Sequence, residues 1–484
     1  MMGSSDISVR RYAKFLLVSA GVGGILCGID IKVISAALPY LQNGLFSDAQ
    51  CSVILAAVQY GSMAASLTGG FLAELLGRKR MISICSLLFL IAVPIVAFST
   101  ASFWALLLSR ILQGASIGVL CVVIPMYLAE SLDANSRGKG TGIFQLLLSL
   151  GLVVASAFGT FIAYKIGAAD DVNLSADSRI LAWRLNFFGM IVPGALLFAA
   201  SFLLKESPRW LFRKGRRDEA LASLAANNGQ DAALKILSDM EEAEKAAKSA
   251  KDASSVQAGE SSSVFQRKYI IPFVMAFLVL CLTKATGVNS MLGYAVDTFQ
   301  KSGMAGELAN VADILCTVAN LLMTIFAASF VDKAGRTFLM KIGSGGMFAC
   351  LLGIAGTFFA ISNGVVQPSF CTGTVISALF ILFMCFYGMG PGVCVWLALS
   401  ELMPNRVRAQ GMSIALFGNQ FVSMAIASSF LPAVNAFGYG WVFVAFAVFT
   451  ACYFLVACWM PETKGRTLEE IESYFSTGVM PDKK

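Results

Sequence analysis

The chain has 484 residues, 57% of them apolar and 13% charged, with a mean hydropathy of +0.74 and a formal net charge of +7. Soluble domains carry about 25% charged residues, so this composition cannot coat three globular surfaces, and lipid must be the solvent for much of the chain. The sequence contains no histidine, which excludes Ser-His-Asp and Cys-His catalysis, histidine metal sites and histidine proton relays, and leaves carboxylates for any proton chemistry.

A bilayer core about 30 Å thick asks for about 20 apolar residues per helix. Such runs fall at 13–41, 50–75, 81–100, 104–129, 140–164, 183–204, 270–298, 306–331, 338–361, 373–400, 410–436 and 440–459. The first follows Arg10, Arg11 and Lys14; it is too long for a signal-peptide core and no small-x-small site closes it, so it reads as an uncleaved first span. One set of loops carries Arg78, Lys79 and Arg80, then Arg137 and Lys139, then Lys333 and Arg336, then Arg406 and Arg408, whereas the opposite loops hold little beyond Lys165, Arg179 and Lys301. The positive-inside rule places the basic loops and both termini in the cytoplasm. The net charge is then topological, and no nucleic-acid surface is expected.

Between the sixth and seventh runs lies the one long polar stretch. Its first part, 214–251, is rich in Ala, Glu, Lys and Leu, with Leu221, Leu224, Leu234 and Leu237 spaced for short amphipathic helices. Its second part, 253–263, is Ser-rich and reads as a flexible linker. The expected layout is a six-helix half over 1–204, a cytoplasmic connector over 205–269, a second six-helix half over 270–460 and a cytoplasmic tail over 461–484.

Internal repetition supports two homologous halves. Glu74 ahead of Gly77-Arg78-Lys79 after span two matches Asp332 ahead of Gly335-Arg336 after span eight; Glu130 with Arg137 after span four matches Glu401 with Arg408 after span ten; Glu206-Ser-Pro-Arg209 after span six matches Pro461-Glu462-Thr-Lys after span twelve. The offsets are 258, 271 and 256 residues, in the same order. One acid or Gly-Arg pair would carry little weight; three in matching order carry a good deal.

These residues also carry a resemblance. With Arg110 in Ser-Arg-Ile-Leu-Gln-Gly-Ala, Pro125-Met-Tyr-Leu-Ala-Glu130, Trp396 ahead of Ser400-Glu401 and Pro461-Glu-Thr-Lys-Gly465, the chain resembles the major facilitator superfamily over essentially its whole length. The Glu-Ser-Pro-Arg and Pro-Glu-Thr-Lys-Gly elements point within it to the sugar porters. The resemblance implies an all-α membrane protein with twelve transmembrane helices in two pseudo-symmetric six-helix halves, working as a monomer between lipid, a small-molecule substrate and protons. It implies a secondary transporter of a sugar or polyol by alternating access, with no cofactor and no metal.

The cytoplasmic charges Glu74, Arg78, Glu130, Arg137, Glu206 and Arg209 of the first half, with Asp332, Arg336, Glu401, Arg408 and Glu462 of the second, stand at helix ends. Opposite charges there are expected to pair across the halves, locking an inner gate when the carrier faces outward. Each exposed pair is worth only about 0–1 kcal/mol, which suits a switch; the bland alternative is that they only fix topology.

Charges within the spans say more, because each costs about 2.5–3.5 kcal/mol or more at the bilayer centre. Asp30 and Lys32 stand in span one, Arg110 in span four and Lys284 in span seven. At about 1.5 Å per residue, Asp30 falls roughly 15 Å and Arg110 roughly 9 Å below the outer surface, close enough to pair. Proton-coupled sugar porters carry an acid and an arginine at these two positions. Burial favours a neutral carboxyl and a nearby guanidinium favours its ionised form, so an Arg110 that approaches and withdraws would switch the proton affinity of Asp30 with access. A static pair that merely fixes two helices is the alternative.

The resemblance further implies sugar-coordinating positions at Gln145, Asn289, Asn320, Trp396 and Asn419, and a gating aromatic at Tyr294. Amides both donate and accept, which suits hydroxyl-rich ligands, although any one of them could simply bond a neighbouring helix. Two departures stand out. Thr283 and Lys284 occupy places where sugar porters usually carry two glutamines, and Gln420 replaces the tryptophan of glucose facilitators. Lys284 could recognise a sugar acid, pair with Asp30 or another cavity acid, or stand deprotonated; Lys32 could add a second cation. A sugar-acid or other organic-anion porter using these two lysines, and a proton-independent facilitator, therefore stand beside the sugar symporter. A transporter-like nutrient sensor would need a signalling domain, and an enzyme would need a nucleophile, metal or cofactor constellation that this sequence does not present.

Most of the twelve cysteines fall inside runs, with Cys51 and Cys371 placed in outer loops as free thiols. Asn173-Leu-Ser175 is a glycosylation sequon on the outer side. The expected location is a plasma or cell inner membrane.

Overall fold

The computed structural model describes residues 4–42, 45–98, 102–132, 134–171, 173–242, 267–403, 408–464 and 474–475. Among them twelve helical spans are long and apolar enough to cross a membrane: Arg11–Gln42, Asp48–Leu76, Arg78–Val96, Phe103–Ser131, Gly142–Ile166, Ala176–Leu203, Ile270–Gly293, Gly306–Val331, Arg336–Ser362, Phe370–Trp396, Gly411–Phe437 and Tyr439–Trp459. They are called spans one to twelve, the first six forming one half and the last six the other. Span six starts at Ala176, seven residues before the apolar run, because Ser175 caps it through the Ser178 N–H at 3.2 Å and polar Asp177 and Arg179 extend its first turn.

Packing repeats with the sequence. In the first half span one lies on five, two on four, three on four and three on six; in the second, seven lies on eleven, eight on ten, nine on ten and nine on twelve. Each pair recurs six spans later. The contacts that join the halves obey the same operation, span two on eleven and span five on eight. Small residues let the helices approach closely. A Cβ on Gly28 or Gly151, between spans one and five, or on Gly61 or Gly114, between spans two and four, would meet the partner's backbone.

Two spans are interrupted where they bear candidate polar residues. Span seven stops at Ala285, turns through Gly287 (φ +83°) and resumes as the short helices Val288–Gly293 and Ala295–Lys301. Span ten breaks at Gly390 between Phe370–Met389 and Pro391–Leu402. Freed backbone at membrane depth is tolerated only inside protein or along a cavity, so these breaks face inward.

The expected connector helices are present as Pro208–Arg213 and Arg217–Asn228, followed by helix through residue 242. Trp210, Leu211 and Ala220 form a small core with Leu237 against it, and Leu224 is buried. Leu234 is exposed, so only part of the expected apolar stripe is used. The membrane side bearing these helices is called the connector face and its opposite the far face.

Candidate functional site

Span one brings two charges of opposite sign into the protein interior. Asp30 Oδ1 accepts a hydrogen bond from Arg110 Nη1 at 2.9 Å, and the two side chains are 0% and 1% exposed. The same Nη1 donates to Gln113 Oε1 at 2.7 Å, and the guanidinium lies 5.4 Å from the centre of the Phe187 ring. The expected pairing is therefore present. Asp30 Oδ2 and Gln113 Nε2 are both buried without a hydrogen-bond partner among the described residues.

Lys32 is not a spare cation for substrate. Its ammonium pairs with Asp313 Oδ1 of span eight at 2.5 Å and donates to the Leu292 carbonyl of span seven at 2.7 Å. Asp313 Oδ2 accepts from Ser156 Oγ of span five at 2.9 Å. Sequence reasoning missed Asp313, although an acid in the middle of an apolar run is the same signal that singled out Asp30. It also missed Asp297 in the helix after span seven, 5% exposed, which accepts from Tyr439 Oη at 2.9 Å.

Lys284 is half-buried and donates to Asn289 Oδ1 at 3.1 Å, while Asn289 Nδ2 donates to Ser423 Oγ of span eleven at 2.7 Å. The partner of Lys284 is thus an amide, where an acid such as Asp30 was among the expectations. The other amides divide. Asn419 is buried and its Nδ2 donates to the Leu280 carbonyl at 2.7 Å, so in this conformation it ties span eleven to span seven. Asn320 is buried with its Oδ1 unsatisfied among the described residues. Gln145 and Gln420 are half-buried, and Trp396 is 44% exposed just after the break in span ten.

The far face is closed across the halves. Tyr294, buried at the end of the short helix that bears Asn289, stacks on Phe430 at 4.4 Å and donates to Ser52 Oγ at 3.3 Å and the Ala427 carbonyl at 3.1 Å. Asn435 reaches Asp48 at 2.9 Å, Asp170 accepts from the Gly306 N–H at 3.0 Å, and Thr160 donates to the Asn310 carbonyl at 3.3 Å. Cys51 is buried in the first turn of span two rather than in a loop; Cys371 is exposed in the first turn of span ten. Both are free thiols, and Asn173 is exposed on this face.

On the connector face the ion pairs among the described residues join charges of the first half and its connector. Arg78, buried, bonds Glu74 at 2.9 Å and Glu130 at 2.8 Å, and Arg213 bonds both acids at 3.2 Å. Glu130 also accepts from Ser207 Oγ at 2.5 Å. Glu206 accepts from the Arg78 and Lys79 N–H groups at 2.8 and 3.0 Å, and Glu462 accepts from the Arg336 and Thr337 N–H groups at 3.0 and 3.1 Å. Each acid, standing after the last span of its half, thus caps the third span of that half, at a helix start where N–H groups lack partners. The glycine before each capped span has the same geometry, Gly77 at φ +96° and Gly335 at φ +98°, a region that side chains with a Cβ disfavour. Arg209 is exposed in the first turn of its short helix. The side chains of Arg137, Asp332, Glu401 and Arg408 lie outside the described residues. Glu462 is held below the usual carboxylate range: burial pushes it up, but the Thr337 hydroxyl and the N–H groups of Lys464, Arg336 and Thr337 outweigh that.

Known proteins resemble this chain in sequence and in fold. "Probable polyol transporter 4" of Arabidopsis thaliana is 28% identical over 97% of this chain and 86% of its own length. The arabinose-proton symporter of Bacillus subtilis is 27% identical over 94% and 93%. Among solved structures, a partially occluded inward open conformation of the xylose transporter XylE from E. coli superposes with a TM-score of 0.78 at 22% identity, over 94% of this chain and 100% of that one. The model of the family described as "Sugar (and other) transporter" matches residues 16–475, and with two six-span halves, matched acid caps and an ion pair inside the bundle, the chain belongs to that family.

Proposed function

We propose that this protein carries a sugar or polyol across the membrane by alternating access between its halves, together with a proton. The observation that carries the reading is the Asp30–Arg110 pair, sealed inside the first half with one carboxylate oxygen unpartnered among the described residues. Keeping an acid there is costly, and a buried acid whose ionisation depends on a neighbouring guanidinium is what proton exchange needs. The relatives named as symporters and polyol carriers favour the same chemistry.

In this reading the substrate is held between the halves by Gln145, Asn289, Asn320, Trp396 and Gln420, with Lys284 orienting Asn289. Asn419 joins them once it leaves the Leu280 carbonyl. Tyr294 closes the far face over the site. The connector face, with its basic loops, is the cytoplasmic side, and the present conformation faces inward. Cross-half pairs among the connector-face charges then belong to the opposite conformation, in which Glu74, Glu130 and Glu206 of the first half approach Arg408 and its neighbours in the second, and Glu462 of the second approaches Arg209 of the first. The unit is a monomer that carries substrate without chemically changing it.

The organic-anion alternative is not favoured, since Lys32 is consumed by Asp313 and the named relatives carry neutral sugars and polyols. Proteoliposome uptake with and without a pH gradient, across pentoses, hexoses, polyols and sugar acids, tests the assignment. Accumulation of a neutral sugar or polyol that requires the gradient is expected. Gradient-independent equilibration would instead make the protein a facilitator, and uptake confined to sugar acids would return Lys284 to the role of anion receptor.

A further inference from the structure

The Lys32–Asp313 pair belongs to neither the proton pair nor the amide cluster, and its surroundings say what it does. It crosses the halves, span one to span eight, with the two side chains 1% and 3% exposed. Every donor of the ammonium is occupied: Asp313 Oδ1 at 2.5 Å, the Leu292 carbonyl at 2.7 Å and Ser35 Oγ at 3.4 Å. The second carboxylate oxygen is held by Ser156 at 2.9 Å. No position is left for a substrate group. The bonds instead gather four spans at one point, two from each half.

Leu292 lies on the same six-residue helix as Asn289 and immediately precedes Gly293 and the gating Tyr294. Lys32 therefore grips the segment that joins the amide cluster to the far-face closure, two residues along span one from Asp30. We propose that Lys32 and Asp313 form the latch of the far-face gate, holding the Asn289–Tyr294 segment down while the far face is shut and parting when it opens.

The charges make the latch releasable. A buried ion pair persists only with good geometry and its remaining lone pairs and protons satisfied, and those conditions hold only while the halves touch. When spans one and eight separate, both groups enter a water-filled vestibule, where hydration replaces the lost attraction. An apolar contact of the same size would have no such compensation on opening, and would hold the gate shut. Removing one charge does the reverse: the partner is stranded in the closed state and hydrated in the open one, so the equilibrium moves toward open.

Two native thiols read the gate. Cys51 is buried in the first turn of span two, next to the Ser52 that receives Tyr294, and Cys371 is exposed on the same face. A membrane-impermeant maleimide added on the side that labels Cys371, followed by peptide mapping, gives the rate at Cys51 with Cys371 as its internal standard. The proposal rests on alternating access, but labelling is done without sugar or pH gradient, so a wrong substrate assignment leaves this result untouched. Asp313→Asn is expected to raise the Cys51 rate about tenfold, and the double variant Lys32→Met with Asp313→Leu to bring it back to the parent rate or below. Ser156→Ala keeps both charges and the fold and is expected to raise the rate about twofold. An unchanged Cys51 rate in Asp313→Asn overturns the latch, as does a double variant that labels as fast as the single one. If Asp313→Asn fails to fold, an unchanged rate in Ser156→Ala overturns it.

Discussion

Two ion pairs start two residues apart on span one and are built differently. Asp30 pairs with Arg110 of its own half and keeps one carboxylate oxygen without a partner among the described residues. Lys32 pairs with Asp313 of the other half, and both carboxylate oxygens of Asp313 are taken. The first pair lies within one half, and in the proposed function it is the one that takes up and releases the proton. The second can change only if the halves move. A proton-coupled carrier needs both kinds of element, one that registers the proton and one that registers access, and short separation along a helix is a direct way to make each feel the other.

The largest way to break this contrast is at Asp30. Asp30→Asn keeps the shape and a hydrogen bond to Arg110 but leaves nothing to ionise, so gradient-driven accumulation is expected to vanish while exchange of labelled for unlabelled sugar continues. Accumulation that survives in proteoliposomes would remove Asp30 from the coupling step. Next comes stability. Arg110→Met strands Asp30 and is expected to cost about 3–5 kcal/mol in detergent unfolding, most of it recovered when Asp30→Asn is added, because removing one member of a buried pair is far worse than removing both. The same comparison at Lys32 and Asp313 sharpens the distinction: there the penalty should be relieved by opening the far face, so the loss of stability should be smaller than at Arg110.

A more modest effect is expected at Lys284. Its 3.1 Å bond to Asn289 can be kept by a shorter neutral donor, so Lys284→Gln should retain neutral-sugar uptake with KM changed by about tenfold or less, at most the worth of one ordinary hydrogen bond. A loss restricted to sugar acids in parallel assays would instead make the lysine a specificity element.

The architecture was legible because the bilayer fixes span length and because the chain repeats itself. The repeat of Gly77 with Gly335 and that of Glu206 with Glu462 were visible, and so was the cost of an acid at Asp30. The partner of Asp30 was legible too, but what the two glutamates touch was not. A glutamate at a span end can reach across to the other half or turn back onto an earlier helix of its own, and spacing does not separate the two; the N–H groups exposed after a positive-φ glycine decide in favour of the cap. Asp313 was readable by the rule that found Asp30, yet its partner lies 281 residues away, and only the way the halves meet sets that register. Asn419 shows the converse: an amide in the expected place, turned in this conformation onto a helix carbonyl.

The smallest expected effect tests the caps. Glu462 is ionised more readily than a free glutamate because the Thr337 hydroxyl and three backbone N–H groups overcome its partial burial. A carboxyl with a depressed folded-state pKa contributes stability that is complete above the ordinary glutamate range and is lost as pH falls through the folded value. Glu462→Gln removes that contribution, so the melting temperature followed by intrinsic fluorescence should drop slightly near neutral pH. The gap to the parent should close as pH falls below the usual carboxylate range. Glu206 likewise accepts from the first two N–H groups of the third span of its half, and Glu206→Gln at neutral pH should cost about as much as Glu462→Gln. A clearly larger loss at Glu206 would mean that the Arg78, Glu130 and Ser207 cluster around it, which has no described counterpart at Glu462, carries part of the first half's stability, and that the two halves share a cap but not the load upon it.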